Sequence, residues 1–381
     1  MLICGASFAG LAVARELAGS GADVLVVDRY EIGERQTSAC GIPTEWLRAM
    51  GLMEAERQRF DSLLMHTPHG ERRFRLPWTF STFDYRELCE LLWRDCDARF
   101  ETAKVNGRAV PANGDGAIAV DTDRGVLSAP LVIDALGWRR VLANGDGHQP
   151  PDAPLSRGLE VHPDGQSPDL KVWIDRSIVP EGYGWIFPAG DELRIGVGSF
   201  DPRFHVRATT ELLAEDLGRD RVRYQGNWIP HKLRRATEGG VFFAGDSAGH
   251  CLPLSAEGIR TALYFGIALG RELRGVVEGR QDRERAAARY AEFNDSHERT
   301  FRWMLRVQRL VPKVPPRVLG PLVRILGAKR FVDWSFGHYL RIAPPEFAVT
   351  SANDQNGAGE QQRHADHPLG AERDLVEAEQ P

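Results

Sequence analysis

The sequence predicts an α/β protein, α+β overall, and three observations carry that prediction. The chain opens on a short apolar strand, a glycine-containing turn and a helix with apolar spacing, followed by a second apolar strand. Late in the chain another apolar strand runs into a second glycine turn and another helix. Between them lie stretches of alternating polarity broken by polar turns, the pattern of antiparallel strands.

The first unit reads in order as strand Leu2-Ile3-Cys4, turn Gly5-Ala6-Ser7-Phe8-Ala9-Gly10 and helix Leu11 to Ala18. Strand, tight turn and helix place backbone N–H groups and the positive helix end against a pyrophosphate. The strand Asp23 to Val27 then delivers Asp28, followed by Arg29, where an acid can bond an adenosine ribose. Gly5, Ala6, Ser7, Gly10, Asp28 and Arg29 are therefore candidate cofactor residues. Ser7 replaces the middle glycine of G-x-G-x-x-G, and its small hydroxyl could donate to phosphate. Alone, such a turn also occurs in α/β proteins that bind nothing.

The second unit narrows this. Val241-Phe242-Phe243-Ala244 reads as a buried strand and Gly245 as its turn. Asp246 is then placed to accept hydrogen bonds from a ribityl chain. His250-Cys251-Leu252-Pro253 follows, and the helix begun by Glu257-Gly258-Ile259 could turn its first N–H groups to a flavin ring. Glu257 would complement the helix dipole there. The two units describe the two ends of extended FAD, and hence a Rossmann-like FAD-binding domain.

With both units in place, residues 1–345 resemble the FAD-dependent oxidoreductases of the aromatic-hydroxylase fold, and among them the geranylgeranyl reductases. Asp84-Tyr85-Arg86-Glu87-Leu88 matches the segment that sets an arginine near FAD, so Arg86 inherits a cofactor role. Leu131 to Gly137 is similar to a mid-chain strand that brings Asp134 near the cofactor. Tyr183-Gly184-Trp185-Ile186-Phe187-Pro188, with Gly196 beyond it, resembles the Y-x-W-x-F-P run that lines the isoprenoid cavity. Ser38-Ala39-Cys40-Gly41 resembles the family's cysteine-glycine segment beside the flavin. Departures are Ala189 where lysine is frequent and Ala256 where a glycine is usual.

The resemblance implies FAD-dependent reduction of carbon-carbon double bonds in a prenyl or related apolar substrate. Tyr183, Trp185, Phe187 and Pro188 would line its cavity. Cys40, Tyr183 and His250 are the candidate proton donors, although His250 is also placed to hold its loop by a hydrogen bond. The same aromatic spacing would equally serve a core stripe under a sheet. The external reductant is open between NAD(P)H and a reduced electron carrier. Alternatives are an FAD-dependent monooxygenase acting on an aromatic or natural-product substrate, and a flavin- or lipid-binding protein without turnover. A halogenase of this fold needs an early lysine, and the first here is Lys104.

Composition bounds the remainder. The 381 residues are 42% hydrophobic and 27% charged, enough for more than one core. A net charge of −5 gives no reason to expect nucleic acid. No apolar run is long enough to span a bilayer. The chain enters a strand at once, which predicts no cleavable signal and a cytoplasmic location, at the inner face of a membrane if it binds one. Cys4, Cys40, Cys89, Cys96 and Cys251 form no C-x-x-C pair, so neither a disulfide framework nor a metal site is expected.

The expected organisation is discontinuous. Residues 1–48, 79–147 and 238–290 make the FAD-binding domain, and 49–78 with 148–237 an inserted antiparallel-sheet substrate domain. Residues 291–345 form a C-terminal helical region and 346–381 a disordered tail. Between Phe301 and Pro345 nine Lys or Arg side chains face one acid, Asp333, and interleave with apolar residues. Two readings stand: a peripheral membrane contact through 301–345, or a helical cap with a solvated basic face. The sequence sets no oligomeric state.

Overall fold

Two large sheets organise the computed structural model, which describes residues 1–36, 38–110, 116–143, 155–315, 318, 321, 325 and 328–349. The first has six strands in the order Thr237–Glu238, Val241–Phe243, Val132–Asp134, Leu2–Cys4, Leu25–Asp28, Arg99–Thr102. Its neighbours are parallel except the edge strand Thr237–Glu238. The central strands are apolar without alternation because both faces are covered. Ile3, Val26, Ile133 and Phe242 pack in one core with helices Phe8–Glu16, Tyr85–Arg94 and Ile259–Val277. Leu2, Cys4, Val27, Val132 and Phe243 pack in another with a three-stranded sheet, Val105–Ala109, Ile118–Thr122 and Gly125–Ala129. That small sheet lies beyond the parallel-sheet expectation for this region.

The second sheet has eight strands, in the order Gln225–Pro230, Leu155–Val161, Glu192–Ser199, Gly182–Ala189, Leu170–Trp173, Glu56–Thr67, Gly70–Phe83, Gly41–Pro43. It is antiparallel except where Leu170–Trp173 runs parallel to Glu56–Thr67. Gly41–Pro43 pairs with Gly70–Phe83 and so belongs to this sheet, although its span was assigned to the cofactor part. One face is closed by helix Val206–Asp216, whose Val206, Leu213 and Ala214 pack with Val161, Ile186, Ile195 and Val197. The opposite face carries Tyr183, Trp185 and Phe187, all half-buried.

Helices Arg283–Ser296 and Glu298–Leu310 meet at His297. Helix Lys329–Arg341 rests on the long hairpin, its Val332 packed with Leu63, Met65 and Phe74. Residues 346–348, placed in the expected tail, are instead part of a helical turn. Pro345–Ala348 is a turn held by Phe347, whose ring lies 4.4 Å from that of Tyr264. The rest of the expected tail, 350–381, falls outside the described residues.

Candidate active site

The two glycine turns are brought together by small residues. A β-carbon at Gly266 would lie 2.8 Å from the Ala9 carbonyl oxygen, and one at Gly270 2.5 Å from the Glu16 Cβ. Helices Phe8–Glu16 and Ile259–Val277 therefore pack backbone against side chain. Gly245, at φ +64°, would place a Cβ 3.0 Å from that of Ala9. Gly10 has no room for a side chain either, its Cβ position lying 1.9 Å from the Gly5 carbonyl oxygen. Neither helix has a side-chain cap at its N-terminus. Their first N–H groups are left for an anion.

Asp246 follows Gly245 and is half-buried. Among the described residues no hydrogen bond or ion pair engages its carboxylate, and desolvation raises its pKa to about 6. The Gly258 Cβ position lies 3.7 Å from its Oδ1, so a carboxylate stands at the mouth of the second helix. Two uncapped helix ends, with an acceptor-only side chain beside one of them, fit a dinucleotide that joins a pyrophosphate to a polyol. These residues fit FAD.

The remaining cofactor candidates fall into two groups. Asp28 Oδ2 accepts from Ala6 N–H at 2.8 Å and Oδ1 from Tyr30 N–H at 3.1 Å, so it braces the first turn. Arg29 is exposed and stacks on Tyr30, 4.8 Å from the ring centre. Ser7 is the residue before the first helix and accepts a hydrogen bond from the Tyr85 hydroxyl at 3.2 Å. Arg86 points outward, 4.0 Å from Glu90, while its backbone abuts Gly33. Asp134 differs from expectation. It is fully buried, and its carboxylate accepts from Leu136 N–H, Leu142 N–H and the Ser247 hydroxyl at 3.0, 2.7 and 2.7 Å. It ties the end of its strand to the second turn rather than facing a ligand.

Glu257 also differs. The helix begins at Ile259, not at Glu257, and the Glu257 carboxylate pairs with Arg260 at 2.7 Å and accepts from the Tyr339 hydroxyl. Arg260 in turn donates to the Tyr339, Leu340 and Ala343 carbonyls. Glu257 thus fixes the C-terminal helix against the loop 253–258. Within that loop Ala256 sits at φ +53°, a left-handed conformation suited to the glycine it replaces.

Of the candidate proton donors, Tyr183 stands in the aromatic wall, and Cys40 adjoins it through the next residue, Gly41. The Cβ position of Gly41 lies 2.4 Å from the Phe80 ring and 3.5 Å from that of Phe187, so the cysteine-glycine loop meets the strand Gly182–Ala189. Cys40 itself is fully buried, and burial pushes its thiol pKa well up. Tyr183 donates to the Ser255 carbonyl at 2.7 Å, joining the other end of the strand to the loop before Gly258. Burial raises its hydroxyl as well. Trp185 lies over Gly196, whose Cβ would come within 2.3 Å of the indole. Pro188 is buried and its carbonyl accepts from the Thr82 hydroxyl at 2.6 Å.

His250 is placed differently. Its Nδ1 accepts from Gly245 N–H at 3.1 Å, its Nε2 bonds Asn294 Oδ1 at 2.9 Å, and its ring stacks on Phe265. Burial lowers its pKa to about 3, so it is neutral with both nitrogens engaged. Its role in this geometry is to hold the second turn. Pro253, also buried, follows it in the same loop.

Residues that the sequence reading did not single out as site residues complete the wall. Phe80 and Phe200 lie 6.0 Å from Phe187 and Tyr183 respectively. Tyr85 reaches the first turn although only its neighbour Arg86 was singled out. Nothing local marks these side chains, because each acts through a strand or turn remote in sequence. Among the described residues no cluster of acids, histidines and cysteines could hold a metal ion.

No family model matches the chain. It is 25% identical over 334 residues to digeranylgeranylglycerophospholipid reductase 3 of Methanosphaera stadtmanae, covering 78% of this chain and 82% of that one. It is 36% identical over 105 residues, 26% of each protein, to geranylgeranyl diphosphate reductase of Rhodobacter capsulatus. The crystal structure of a geranylgeranyl bacteriochlorophyll reductase-like protein from Thermoplasma acidophilum superposes with a TM-score of 0.76 at 16% identity, covering 91% of this chain and 96% of that one. With that fold, these relatives and the paired turns, the chain is an FAD-dependent oxidoreductase homologous to the geranylgeranyl reductases.

Proposed function

We propose that this enzyme reduces carbon-carbon double bonds of a prenyl chain or a related apolar substrate. The observation that carries the reading is the half-buried aromatic wall Tyr183, Trp185 and Phe187, bounded by Cys40–Gly41 at one end and Ser255 at the other. The names of its relatives point the same way. An unactivated alkene has no polar handle, so alignment depends on shape and on exclusion of water.

Gly5, Ala6, Ser7 and Gly10 would hold the pyrophosphate, and Asp28, Arg29 and Arg86 the adenosine half. Asp246 would accept from the polyol, and Pro253, Gly258 and Ile259 would face the ring. Bound FAD supplies hydride chemistry. The chain must supply the proton, and Cys40 and Tyr183 are the groups we assign to it, each bearing a dissociable hydrogen at one end of the wall. The reductant is NAD(P)H or a reduced carrier. The parallel sheet would form the cofactor part and the eight-stranded sheet the substrate part.

No helix among the described residues is long and apolar enough to cross a membrane. Helices Glu298–Leu310 and Lys329–Arg341 nevertheless leave Trp303 61% and Trp334 58% exposed, amid Arg302, Arg306, Lys329 and Arg330. That mixture suits contact with an anionic lipid surface, where a prenyl lipid would be found.

The experiment is anaerobic. The FAD-loaded protein is reduced chemically, mixed with a geranylgeranyl lipid, and followed by flavin absorbance. Reoxidation that depends on lipid concentration supports the reading, and a trace unchanged by lipid refutes it for that substrate.

A further inference from the structure

We propose that Arg194 is a positioning residue, set by a buried chain of alternating charges, that holds the Cys40 loop against the aromatic wall. The proposal rests on the reading that Cys40 and the aromatic run belong to one site.

The chain begins at the wall. Trp185 Nε1 donates to Glu160 Oε2 at 3.1 Å, and His162 Nε2 bonds Glu160 Oε1 at 2.9 Å. His162 Nδ1 lies 3.3 Å from Glu192 Oε1, which Arg194 Nε reaches at 3.0 Å. Arg194 then donates to the Ala39 carbonyl at 2.9 Å and to that of Cys40 at 3.4 Å. Glu160, His162 and Arg194 are only 3, 2 and 3% exposed. Negative and positive groups alternate along it, and they cancel when His162 is protonated. Burial alone would lower the His162 pKa, but Glu160 and Glu192 outweigh it and raise it.

Two features argue that the chain serves the loop. Strand register places Arg194 opposite Phe187, and Gly196 opposite both Trp185 and Glu160, so the charges lie on the aromatic side of the sheet. An apolar set would be as stable at such a buried location. Cys40 also adopts φ +51°, which L residues rarely hold without support. Its carbonyl is fixed by Arg194 and by Phe83 N–H at 3.0 Å, and its Sγ bonds the Ser38 carbonyl at 3.2 Å. Arg194 is thus the link that couples the sheet's charge array to left-handed Cys40, whose neighbour Gly41 meets Phe187.

The test reads the loop directly. The full-length protein is treated with iodoacetamide, and labelling of each cysteine is followed by peptide mass spectrometry. Cys4, Cys89 and Cys251 are also buried and serve as internal controls for global unfolding. Arg194→Met is expected to raise the Cys40 rate by at least about tenfold, the factor that loss of one charge-assisted hydrogen bond implies for local opening. The three controls should not change, and Arg194→Lys should restore part of the protection. Glu192→Gln, at a partly exposed position, is the milder variant and should raise Cys40 labelling by less. In turnover, Arg194→Lys should lower kcat with KM retained. Unchanged Cys40 labelling, or a joint rise of all four cysteines, would overturn the proposal. Labelling needs no substrate, so a failure of the reductase reading leaves this outcome independent.

Discussion

Gly245 and Ala9, more than two hundred residues apart in sequence, stand so close that a β-carbon on Gly245 would lie 3.0 Å from that of Ala9. The contact sets how closely the second turn approaches the first helix, and with it the room left for the cofactor between them. Gly245→Ala should therefore act on FAD before it acts on the fold. Left-handed backbone costs an L residue about 1–2 kcal/mol, so the variant should lose FAD in proportion and melt several degrees lower. The ratio of flavin to protein absorbance checks it, and wild-type FAD content would refute it.

Trp185 occupies a slot that exists because Gly196 has no side chain. Gly196→Val would press its methyl groups into the indole, and overpacking of this kind costs about 1–3 kcal/mol. The variant should show a shifted tryptophan fluorescence maximum and a raised KM for an apolar substrate, with FAD content retained. Urea unfolding measures the stability loss.

How much of this was legible beforehand follows from how local each signal is. The strand-turn-helix units at Gly5 and Gly245 were readable because residue spacing alone encodes them. So was the Tyr183, Trp185, Phe187 face, since period-two alternation sets its side. The helix at Phe8–Glu16 starts three residues earlier than its apolar spacing suggested, because Gly10 is needed inside the helix to pass the Gly5 carbonyl. Asp134, Glu257 and Arg194 were illegible in role. Their partners Ser247, Tyr339 and Ala39 come from other elements, and nothing in a linear sequence pairs them.

Stability should fall on acidification, with a definite sign for each group. Burial depresses the folded pKa of His250 to about 3 and of His231 to about 4, both below the ordinary value of 6.5. Their contribution is complete above that ordinary value and is lost as pH falls through it toward the folded values. Asp246 works oppositely: raised from 3.8 to about 6, it favours folding at low pH and loses that contribution as pH rises. Melting temperatures between about pH 7 and pH 4 should thus decline, and Asp246→Asn should make the decline steeper. A flat profile, or an unchanged slope in the variant, contradicts these assignments.

The exposed Trp303 and Trp334 predict lipid contact. Trp303→Ser with Trp334→Ser should reduce co-sedimentation with vesicles containing phosphatidylglycerol, and raised salt should reduce it further by screening the arginines. FAD content should stay unchanged. Equal sedimentation of variant and parent protein would leave a solvated basic cap as the correct reading.

The central claim is a reductase acting on an apolar alkene, and product mass tests it most directly. The purified protein, loaded with FAD and supplied with a reductant, is incubated with prenyl lipids and quinones without oxygen, with an aerated sample alongside. A product that gains two hydrogen atoms per double bond in the anaerobic sample, and that is lost in a Cys40→Ala, Tyr183→Phe double variant retaining FAD, is the predicted result. A product that gains oxygen, and only in the aerated sample, would contradict the account and make the enzyme a monooxygenase.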